Sequence, residues 1–331
     1  MKRESVIGRA NVEDTPELEA YYQALEGEEL GALWNVANEI EPWFPRPKSV
    51  PTHWPWKKVE PFVRKAAELV SAEKAARRVV MLVNPGRKEW SAAAGLLYTG
   101  VQVMNPGEAA SAHRHQASAL RFVMEGRGAY TIVDGERLDL GARDFVLTPN
   151  GTWHEHGVDD GGTQCIWQDG LDIPLMNSLD ANFYEVHPRL NQAQAALSRE
   201  NWSKPYSPVF LYKWDDAYNA LKRDGKVHEY ANPLTGGPVM PTMGARLELI
   251  SSNTNPKRHT GSVIYQVAAG SGWSEVGEMR GGRRFEWQEK DIFCVPSWTL
   301  YRHGAHGEAV LFSFNDLPAM RALSLYREAD R

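Results

Sequence analysis

The chain has 331 residues, of which 42% are hydrophobic and 24% charged, and this composition excludes a disordered or fibrous protein. Its net charge of -5 comes without a basic stripe, which argues against a nucleic-acid partner. The aliphatic runs are short, as at Val79–Val83, and no secretory signal is visible. The sequence therefore predicts a cytoplasmic protein that contacts no membrane.

The N-terminal part predicts helices. A start signal at Thr15-Pro16-Glu17 opens a segment in which charged and apolar residues alternate at helical spacing, first to Leu30 and then through Val36. A second amphipathic helix is expected over Val59–Val70. Residues 42–58 contain five prolines and three tryptophans, so this segment is expected to be extended.

Short strands separated by glycine turns begin at Gly95, which places a domain boundary near residue 90. We therefore expect a sequence of four regions. These are a helical region over 1–90, a strand-rich domain over 91–187, a linker with some helix over 188–234, and a second strand-rich domain over 235–331.

The strand-rich part contains a repeat. In residues 122–157, Asp134-Gly135 has the position of a hairpin turn between two alternating strands. Residues 266–304 follow the same plan: Asp144, Pro149, His156 and Gly157 recur 147 residues later as Asp291, Pro296, His303 and Gly304. Repeats of this size indicate duplication of one β-domain, because solenoid repeats have only about 20 to 50 residues.

Histidines cluster in the first copy, where four of the ten in the chain fall within 44 residues. His113 and His115 are two apart, so both imidazoles project from the same face of a strand. His154 follows a turn that leads into a later strand and would reach the pair from across the sheet. A lone histidine is more often a hydrogen-bonded structural residue, but this combination favours an open metal site with three ligands.

Two segments resemble the motifs of the cupin superfamily, the first at Gly107–Gly126 and the second from Pro149 to His154. Two positions differ. Ala119 stands where many cupins have a ligand glutamate, and Arg143 stands where the second motif begins with glycine. The resemblance implies a mainly β, bicupin fold, in which two β-barrel or jelly-roll domains follow the helical N-terminal region.

A closer resemblance, to the bicupin ring-cleaving dioxygenases that act on gentisate, salicylate and 1-hydroxy-2-naphthoate, extends over almost the whole chain. It rests on His113–His115, Ala119–Phe122, Glu125-Gly126, Leu147–Pro149, Trp153–His156, Trp167–Pro174 and Asn84–Gly86. It implies that His113, His115 and His154 hold Fe(II), where a small aromatic hydroxy acid meets O2. It also implies that the protein is a homotetramer and that its activity is the conversion of gentisate to maleylpyruvate.

The resemblance also suggests residues around the iron. Arg121 would pair with the substrate carboxylate, as a planar fork of donors suits that group. His156 shares the strand face of His154 and would hydrogen-bond oxygen or transfer a proton. Gln102, Tyr98 and Asp169 are weaker candidates for the wall of the substrate pocket, where structural packing is an equal alternative.

The second copy lacks most of this set. His259 aligns with His115, but Lys257 replaces His113 and Tyr301 stands at the position of His154. We therefore expect no iron of this kind in the second copy, whose role would be structural or oligomer-forming.

Several alternatives stay open at this point. The substrate could be salicylate or 1-hydroxy-2-naphthoate, and the carboxylate could be bound by Arg77, Arg78 or Arg87 in place of Arg121. A non-catalytic bicupin that binds a small ligand is a different class of function. Three imidazoles would also suit the zinc ion of a hydrolase.

Overall fold

The computed structural model describes residues 15–75, 77–87, 92–188, 204–278 and 282–329. Two compact units make up the chain, one ending at Arg46 and the other beginning at Pro47.

The described residues form helices α1–α7 and strands β1–β22. The helices are α1 (Pro16–Gly27), α2 (Leu33–Ile40), α3 (Trp56–Leu69), α4 (Ala72–Ala75), α5 (Ile173–Ser178), α6 (Trp214–Asp224) and α7 (Leu317–Ala322). The strands up to the end of the first copy are β1 (Thr52–Trp54), β2 (Val79–Met81), β3 (Tyr98–Met104), β4 (Ala109–His115), β5 (Ala119–Glu125), β6 (Ala129–Val133), β7 (Glu136–Leu140), β8 (Phe145–Thr148), β9 (His154–Val158) and β10 (Cys165–Leu171). The later strands are β11 (Tyr184–Val186), β12 (Leu211–Tyr212), β13 (Val227–Tyr230), β14 (Gly244–Ile250), β15 (Arg258–His259), β16 (Val263–Ala269), β17 (Ser271–Val276), β18 (Arg283–Gln288), β19 (Ile292–Val295), β20 (Tyr301–Ala305), β21 (Ala309–Asn315) and β22 (Glu328–Ala329).

The first unit contains α1 and α2. The Leu18 amide donates to the Thr15 hydroxyl at 3.2 Å, and Pro16 is the first helical residue, so the predicted start signal is a genuine N-cap. Between the helices, the Trp34 indole N–H donates to the Tyr22 hydroxyl at 2.9 Å.

The second unit begins with a segment that joins both repeats. β1 pairs with β19 of the second repeat, whereas β2 pairs with β3 of the first. The helix expected over Val59–Val70 is α3, which begins at Trp56. Residues 47–87 are thus partly built into the two sheets, which differs from the separate helical region expected up to residue 90.

The first repeat consists of two antiparallel sheets. One has the order β12-β8-β5-β10-β3-β2 and the other the order β11-β4-β9-β6-β7. Neither sheet closes on itself, so the repeat is an open jelly roll rather than a closed barrel. The predicted hairpin turn is present between β6 and β7, where Asp134 and Gly135 have φ angles of 45° and 85°. Two successive positive φ angles are those of a type I′ turn.

The second repeat follows the same plan. Its large sheet has the order β1-β19-β16-β21-β14-β13, opposite a three-stranded sheet of β18-β17-β20. Strands β3, β5 and β10 of the first repeat correspond to β14, β16 and β21 of the second. The prediction of a mainly β fold built from two copies is therefore confirmed.

Aromatic side chains join the two repeats. The rings of Phe122 on β5 and Phe312 on β21 stack with centroids 4.0 Å apart and planes 10° from parallel. Phe145 and Tyr230, whose ring centroids are 4.6 Å apart, belong to the same aromatic cluster. The outer faces of the two large sheets thus pack against each other, and the inner face of each sheet is left to line its own jelly roll.

Among the described residues, no helix combines the length and the apolar character that crossing a membrane would require.

Candidate active site

The predicted histidines meet inside the first repeat. His113 and His115 lie on β4, and His154 begins β9, which pairs with β4 so that His113 and His154 are directly opposite. The ring centroids of His113 and His154 are 4.4 Å apart, and those of His115 and His154 are 4.7 Å apart. All three side chains are buried.

Each of these three imidazoles has one nitrogen bound to the backbone. The Nδ1–H groups donate to carbonyl oxygens two residues away: His113 to Ser111 at 2.7 Å, His115 to Ala117 at 2.7 Å and His154 to Thr152 at 2.9 Å. Because a carbonyl can only accept, the proton is on Nδ1 and a lone pair is left on each Nε2. No described residue is a hydrogen-bond partner of any of the three Nε2 atoms.

The three histidines are neutral at physiological pH. Burial, with a smaller contribution from nearby Arg77 and Arg121, lowers the pKa of His113 to about 4. Burial likewise lowers the pKa of His115 to about 3 and holds that of His154 well below its usual value. Neutral imidazoles with free Nε2 lone pairs are the form that binds a transition metal.

His156 is close to this group but is bonded differently. One ring nitrogen each of His113, His154 and His156 lie within 4.8 Å of one another, so proximity alone would group these three. However, Arg121 Nη2 donates to His156 Nε2 at 2.9 Å. That lone pair is therefore engaged, and the hydrogen bonds favour His115 as the third ligand over His156.

Arg121 is fully buried beside the histidines. Its Nε lies 3.1 Å from Asp169 Oδ1, which is an ion-pair distance although the groups are not aligned as a hydrogen bond, and its Nη1 donates to Thr148 Oγ1 at 3.3 Å. Burial raises the pKa of Asp169 to about 6, against the influence of Arg121.

Arg121 follows His115 by six residues, and this even spacing would place both side chains on one face if a single strand continued through them. Residues 116–118 interrupt the strand, so Arg121 lies on β5 in the opposite sheet and reaches the histidines from across the jelly roll. Arg121 is therefore close to the histidines because the two sheets face each other, and not because it continues their strand.

A cavity of about 550 Å³ adjoins the histidines. It is lined by Ala75, Arg77, Val79, Met81, Tyr98, Arg121, Asp169, Leu171, Ile173 and Tyr184. Three of the predicted site residues, Tyr98, Arg121 and Asp169, thus face one space. Gln102 is buried and is not part of the lining, although its Oε1 has no hydrogen-bond partner among the described residues.

The cavity is also lined by Tyr184, which was not predicted from the sequence, and by Arg77, which was predicted only as an alternative to Arg121. Tyr184, on β11, stacks on His113 with ring centroids 5.3 Å apart, and the Arg77 guanidinium carbon lies 5.4 Å from the Tyr184 ring centroid. β11 is a short strand with no pattern of its own, so nothing in the sequence indicated Tyr184. Of the alternative arginines only Arg77 lines the cavity, whereas the buried Arg78 forms an ion pair with the half-buried Glu108.

The equivalent positions of the second repeat are bonded to each other. His259 Nδ1–H donates to the Thr260 carbonyl at 3.1 Å, and the Tyr301 hydroxyl donates to His259 Nε2 at 3.0 Å. The only histidine retained from the set therefore has its lone pair occupied by the tyrosine.

The residues of the first repeat fit a bound metal ion. Three buried Nε2 atoms without partners, each with its tautomer set by a carbonyl, would otherwise leave three polar atoms unsatisfied in a protein interior. Their chemistry, three neutral nitrogens, suits a borderline divalent ion such as iron or zinc.

Comparison with known proteins identifies relatives of the whole chain. A cupin domain model matches residues 100–174. Gentisate 1,2 dioxygenase 1 of Aquipseudomonas alcaligenes is 35% identical over 95% of this chain and 97% of its own. 5-Aminosalicylate 1,2-dioxygenase of a Comamonas species is 34% identical over 94% of this chain and 90% of its own.

Among solved structures, the salicylate 1,2-dioxygenase of Pseudoaminobacter salicylatoxidans, in adducts with gentisate, superposes with a TM-score of 0.89. It is 30% identical, and the match covers 99% of this chain and 98% of that one. The resemblance drawn from the motifs is thereby confirmed. With the histidine group, the two jelly rolls and full-length relatives in agreement, the chain belongs to the bicupin family of aromatic ring-cleaving dioxygenases.

Proposed function

We propose that the protein is an Fe(II)-dependent gentisate 1,2-dioxygenase that forms maleylpyruvate. The observation that carries this proposal is the set of three buried, unpartnered Nε2 atoms of His113, His115 and His154 beside a cavity with two arginines and one carboxylate. A cytoplasmic homotetramer is part of the same proposal.

The proposed metal ligands are His113, His115 and His154. Ferrous iron bound there would supply the position at which the hydroxy acid and O2 meet and the electrons that pass between them. Because the three ligands are uncharged, the full positive charge of the ion would favour a substrate that carries both a carboxylate and an adjacent hydroxyl.

The charges of the cavity suit an aromatic monocarboxylate. Arg77 and Arg121 contribute two positive charges and Asp169 contributes one negative charge. The lining residues therefore have a net charge of +1, which the substrate carboxylate would neutralise. Arg121 is shared with Asp169 and His156, whereas Arg77 is half-buried at the cavity wall. We infer that both arginines orient the carboxylate, with Arg121 the more rigid of the two.

Asp169 supports gentisate in preference to salicylate. Its Oδ1 is buried and accepts no hydrogen bond from the described residues, although Arg121 Nε lies 3.1 Å away as an ion-pair partner. Gentisate has a second hydroxyl, para to the first, that would donate to this oxygen, whereas salicylate has no group there. Asp169 would thus bind and orient the ring through the substituent that distinguishes the two acids.

The reaction balances without another co-substrate. The bond between the carboxyl-bearing carbon and its hydroxyl-bearing neighbour breaks, and both atoms of O2 enter the product. The first carbon becomes a ketone and the second a carboxylate.

The direct test is oxygen uptake by the iron-loaded enzyme with gentisate, 5-aminosalicylate, salicylate and 1-hydroxy-2-naphthoate. We expect gentisate to give the highest kcat/KM and a product that carries two ¹⁸O atoms from ¹⁸O2. If another acid were preferred, the substrate assignment would be wrong; if no acid consumed oxygen, the protein would be a binding bicupin.

The role of Asp169 has its own test. Asp169→Asn keeps the shape but weakens the acceptor, so kcat/KM for gentisate should fall about five- to tenfold relative to that for salicylate. Salicylate is the control in the same variant, because it makes no such hydrogen bond. An unchanged ratio of the two values would exclude Asp169 from recognition of the para hydroxyl.

Metal analysis tests the iron. Since three neutral imidazoles also suit Zn²⁺, protein purified anaerobically should contain iron and lose oxygen uptake on chelation, then regain it with Fe(II) but not with Zn²⁺.

A further inference from the structure

The interior of the second repeat contains a polar cluster that the proposed activity does not use. Its members lie on β14, β16, β20 and β21 and near β15. They are Arg246, Glu248, Lys257, His259, Tyr265, Tyr301, His303 and Ser313. Side chains of this kind are costly to bury without partners, so their arrangement calls for a ligand or a structural reason.

The cluster has been rearranged relative to the first repeat. In the first repeat Arg121 is opposite Asp169, which is opposite Gly100 on the third strand. In the second repeat the corresponding row is Tyr265, Ser313 and Arg246. The arginine has moved from one outer strand of the row to the other, and the buried carboxylate opposite it has become a hydroxyl.

Four polar atoms of this cluster have no hydrogen-bond partner among the described residues. They are Arg246 Nη2, the Tyr265 hydroxyl, His303 Nε2 and the Ser313 hydroxyl. Residues directly opposite in an antiparallel sheet project from the same face, so the first, second and fourth are neighbours. His303 reaches them from the other sheet, with its ring centroid 4.9 Å from that of Tyr265.

His303 is a donor toward this space in the tautomer that has its ring proton on Nε2. The Ser274 hydroxyl accepts from the Trp287 indole at 2.8 Å and lies 2.7 Å from His303 Nδ1. If its one proton is given to His303 Nδ1, the ring proton is on Nε2. Burial raises the pKa of Tyr265 well above its usual value, so the phenol keeps its proton. All four atoms can therefore donate.

The charged groups of the cluster are partly paired. Arg246 Nε donates to Glu248 Oε1 at 2.8 Å, and Arg246 Nη1 lies 3.6 Å from Oε1 of Glu229, an exposed residue on β13. Lys257 adds a positive charge, with its Nζ 5.3 Å from the Tyr301 ring centroid. Burial lowers the pKa of His303 to about 4, so this ring adds none. Four donors beside Lys257, which forms no ion pair with another described residue, form a site for a negative group that accepts hydrogen bonds.

We propose that the second repeat binds a small oxyanion, of the size of a carboxylate or nitrate group, through Arg246, Tyr265, His303 and Ser313. Large buried side chains, including those of Phe293 and Trp287, surround the cluster and restrict the ligand to a few atoms. Tyr301 also lines a surface cavity of about 360 Å³ with Arg283 and Arg302.

The test is isothermal titration of the iron-loaded enzyme with sodium acetate and, separately, with sodium nitrate. Arg121→Ala serves as the background, because it weakens anion binding in the first repeat. We expect one saturable site per chain that remains in this background. Ser313→Ala and Tyr265→Phe, each added to it, should weaken binding about 10- to 100-fold, since each removes a hydrogen bond to a charged group.

Tyr230→Phe is the matched control: it removes another buried hydroxyl without a partner, but on the interface between the repeats, and should leave binding unchanged. Binding of acetate alone would identify a carboxylate ligand, and binding of both anions a general oxyanion site. Binding of neither, or binding unaffected by both second-repeat variants, would overturn the proposal.

A measurement that needs no variant is anomalous diffraction from crystals soaked in bromide. A peak within hydrogen-bond distance of Arg246 Nη2 is expected. Density for water alone between Arg246 and Ser313 would mean that the donors are only hydrated.

Discussion

At the scale of single residues, the geometry of the metal site comes from hydrogen bonds to the backbone. The carbonyls of Ser111, Ala117 and Thr152 hold the Nδ1 protons of the three proposed ligands. Metal binding therefore requires no change of tautomer, and the rings are oriented before the ion arrives. The common strand face of His113 and His115 could be predicted from their spacing, because side chains alternate along any strand. The carbonyl partners of their rings could not be predicted from the sequence.

Replacing any one of His113, His115 or His154 with alanine should abolish stoichiometric iron binding, because two imidazoles remain. The secondary structure should persist, as judged by circular dichroism. The control is His259→Ala, which removes a buried histidine from the corresponding position of the second repeat and should keep its iron. Full iron content in one of the three first-repeat variants would contradict this ligand set.

Arg121→Ala should keep the iron and weaken gentisate binding by about one to two powers of ten, because a charge-assisted pair in a buried site contributes roughly 1.5 to 3 kcal/mol. Arg121→Lys keeps the charge but not the planar fork, so its affinity should be intermediate. The measurement is anaerobic titration of gentisate, followed by absorption of the complex. Unchanged affinity in Arg121→Ala, with a loss in Arg77→Ala, would transfer the role to Arg77.

At the scale of elements, the β6–β7 hairpin supports the strand that carries His154. The Trp153 amide donates to Asp134 Oδ1 at 2.8 Å, and the Asp134 amide donates to the Trp153 carbonyl at 2.7 Å. Asp134, in the turn, is thus hydrogen-bonded to Trp153, the residue just before the proposed ligand His154. Asp134-Gly135 could be predicted as a turn from its composition, but its bonds to a loop about 20 residues later depend on how β6 and β9 pair.

Asp134→Ala should therefore destabilise the protein by about 1 kcal/mol and weaken metal binding a few-fold, because one hydrogen bond is lost and His154 is less firmly held. Asp134→Asn is the matched control, since asparagine keeps both an acceptor and a preference for positive φ. Urea denaturation and anaerobic Fe(II) titration measure the two effects. Equal metal affinity in both variants would mean that the turn does not position His154.

At the scale of the whole molecule, burial has opposite effects on two sets of ionisable groups. It lowers the pKa of six histidines, namely His113, His115, His154, His156, His259 and His303. It raises the pKa of three carboxyls to about 6, namely Asp169, Asp172 and Asp316. Between pH 6.5 and about 4, the unfolded chain gains protons on the histidines, whereas the folded chain gains them on the aspartates.

The metal-free protein should accordingly lose stability as the pH falls below 6.5, because more histidines than aspartates are affected. When the unfolded state binds more protons than the folded state, the free energy of unfolding falls as the pH falls. The loss between pH 7 and pH 5.5 should be on the order of 5 kcal/mol. Denaturation in urea at the two pH values measures it. Equal or greater stability at pH 5.5 would show that the aspartates dominate.

The general architecture could be predicted from the sequence, whereas the connections of residues 47–87 could not. The pattern of Asp144 and Pro149 indicates a duplicated domain, because the same residues recur at the same spacing in the second copy. The partners of β1 and β2 lie in different repeats, and three residues such as Thr52–Trp54 contain no information about a partner more than 200 positions away. The polar row of Arg246 and Ser313 is visible only once the strands are in register.

The pairing of β1 with β19 has a consequence for biosynthesis. Thr52 leaves the ribosome about 240 residues before its partner Cys294. At about 5 to 20 residues per second this strand would wait roughly 12 to 50 s for its place in the sheet. Contacts of such long range are slow to form, and an unpaired strand is prone to join the wrong neighbour. The nascent chain therefore spends most of its synthesis with one edge strand exposed, and the sheet that this first strand must enter is complete only when β21 has been made.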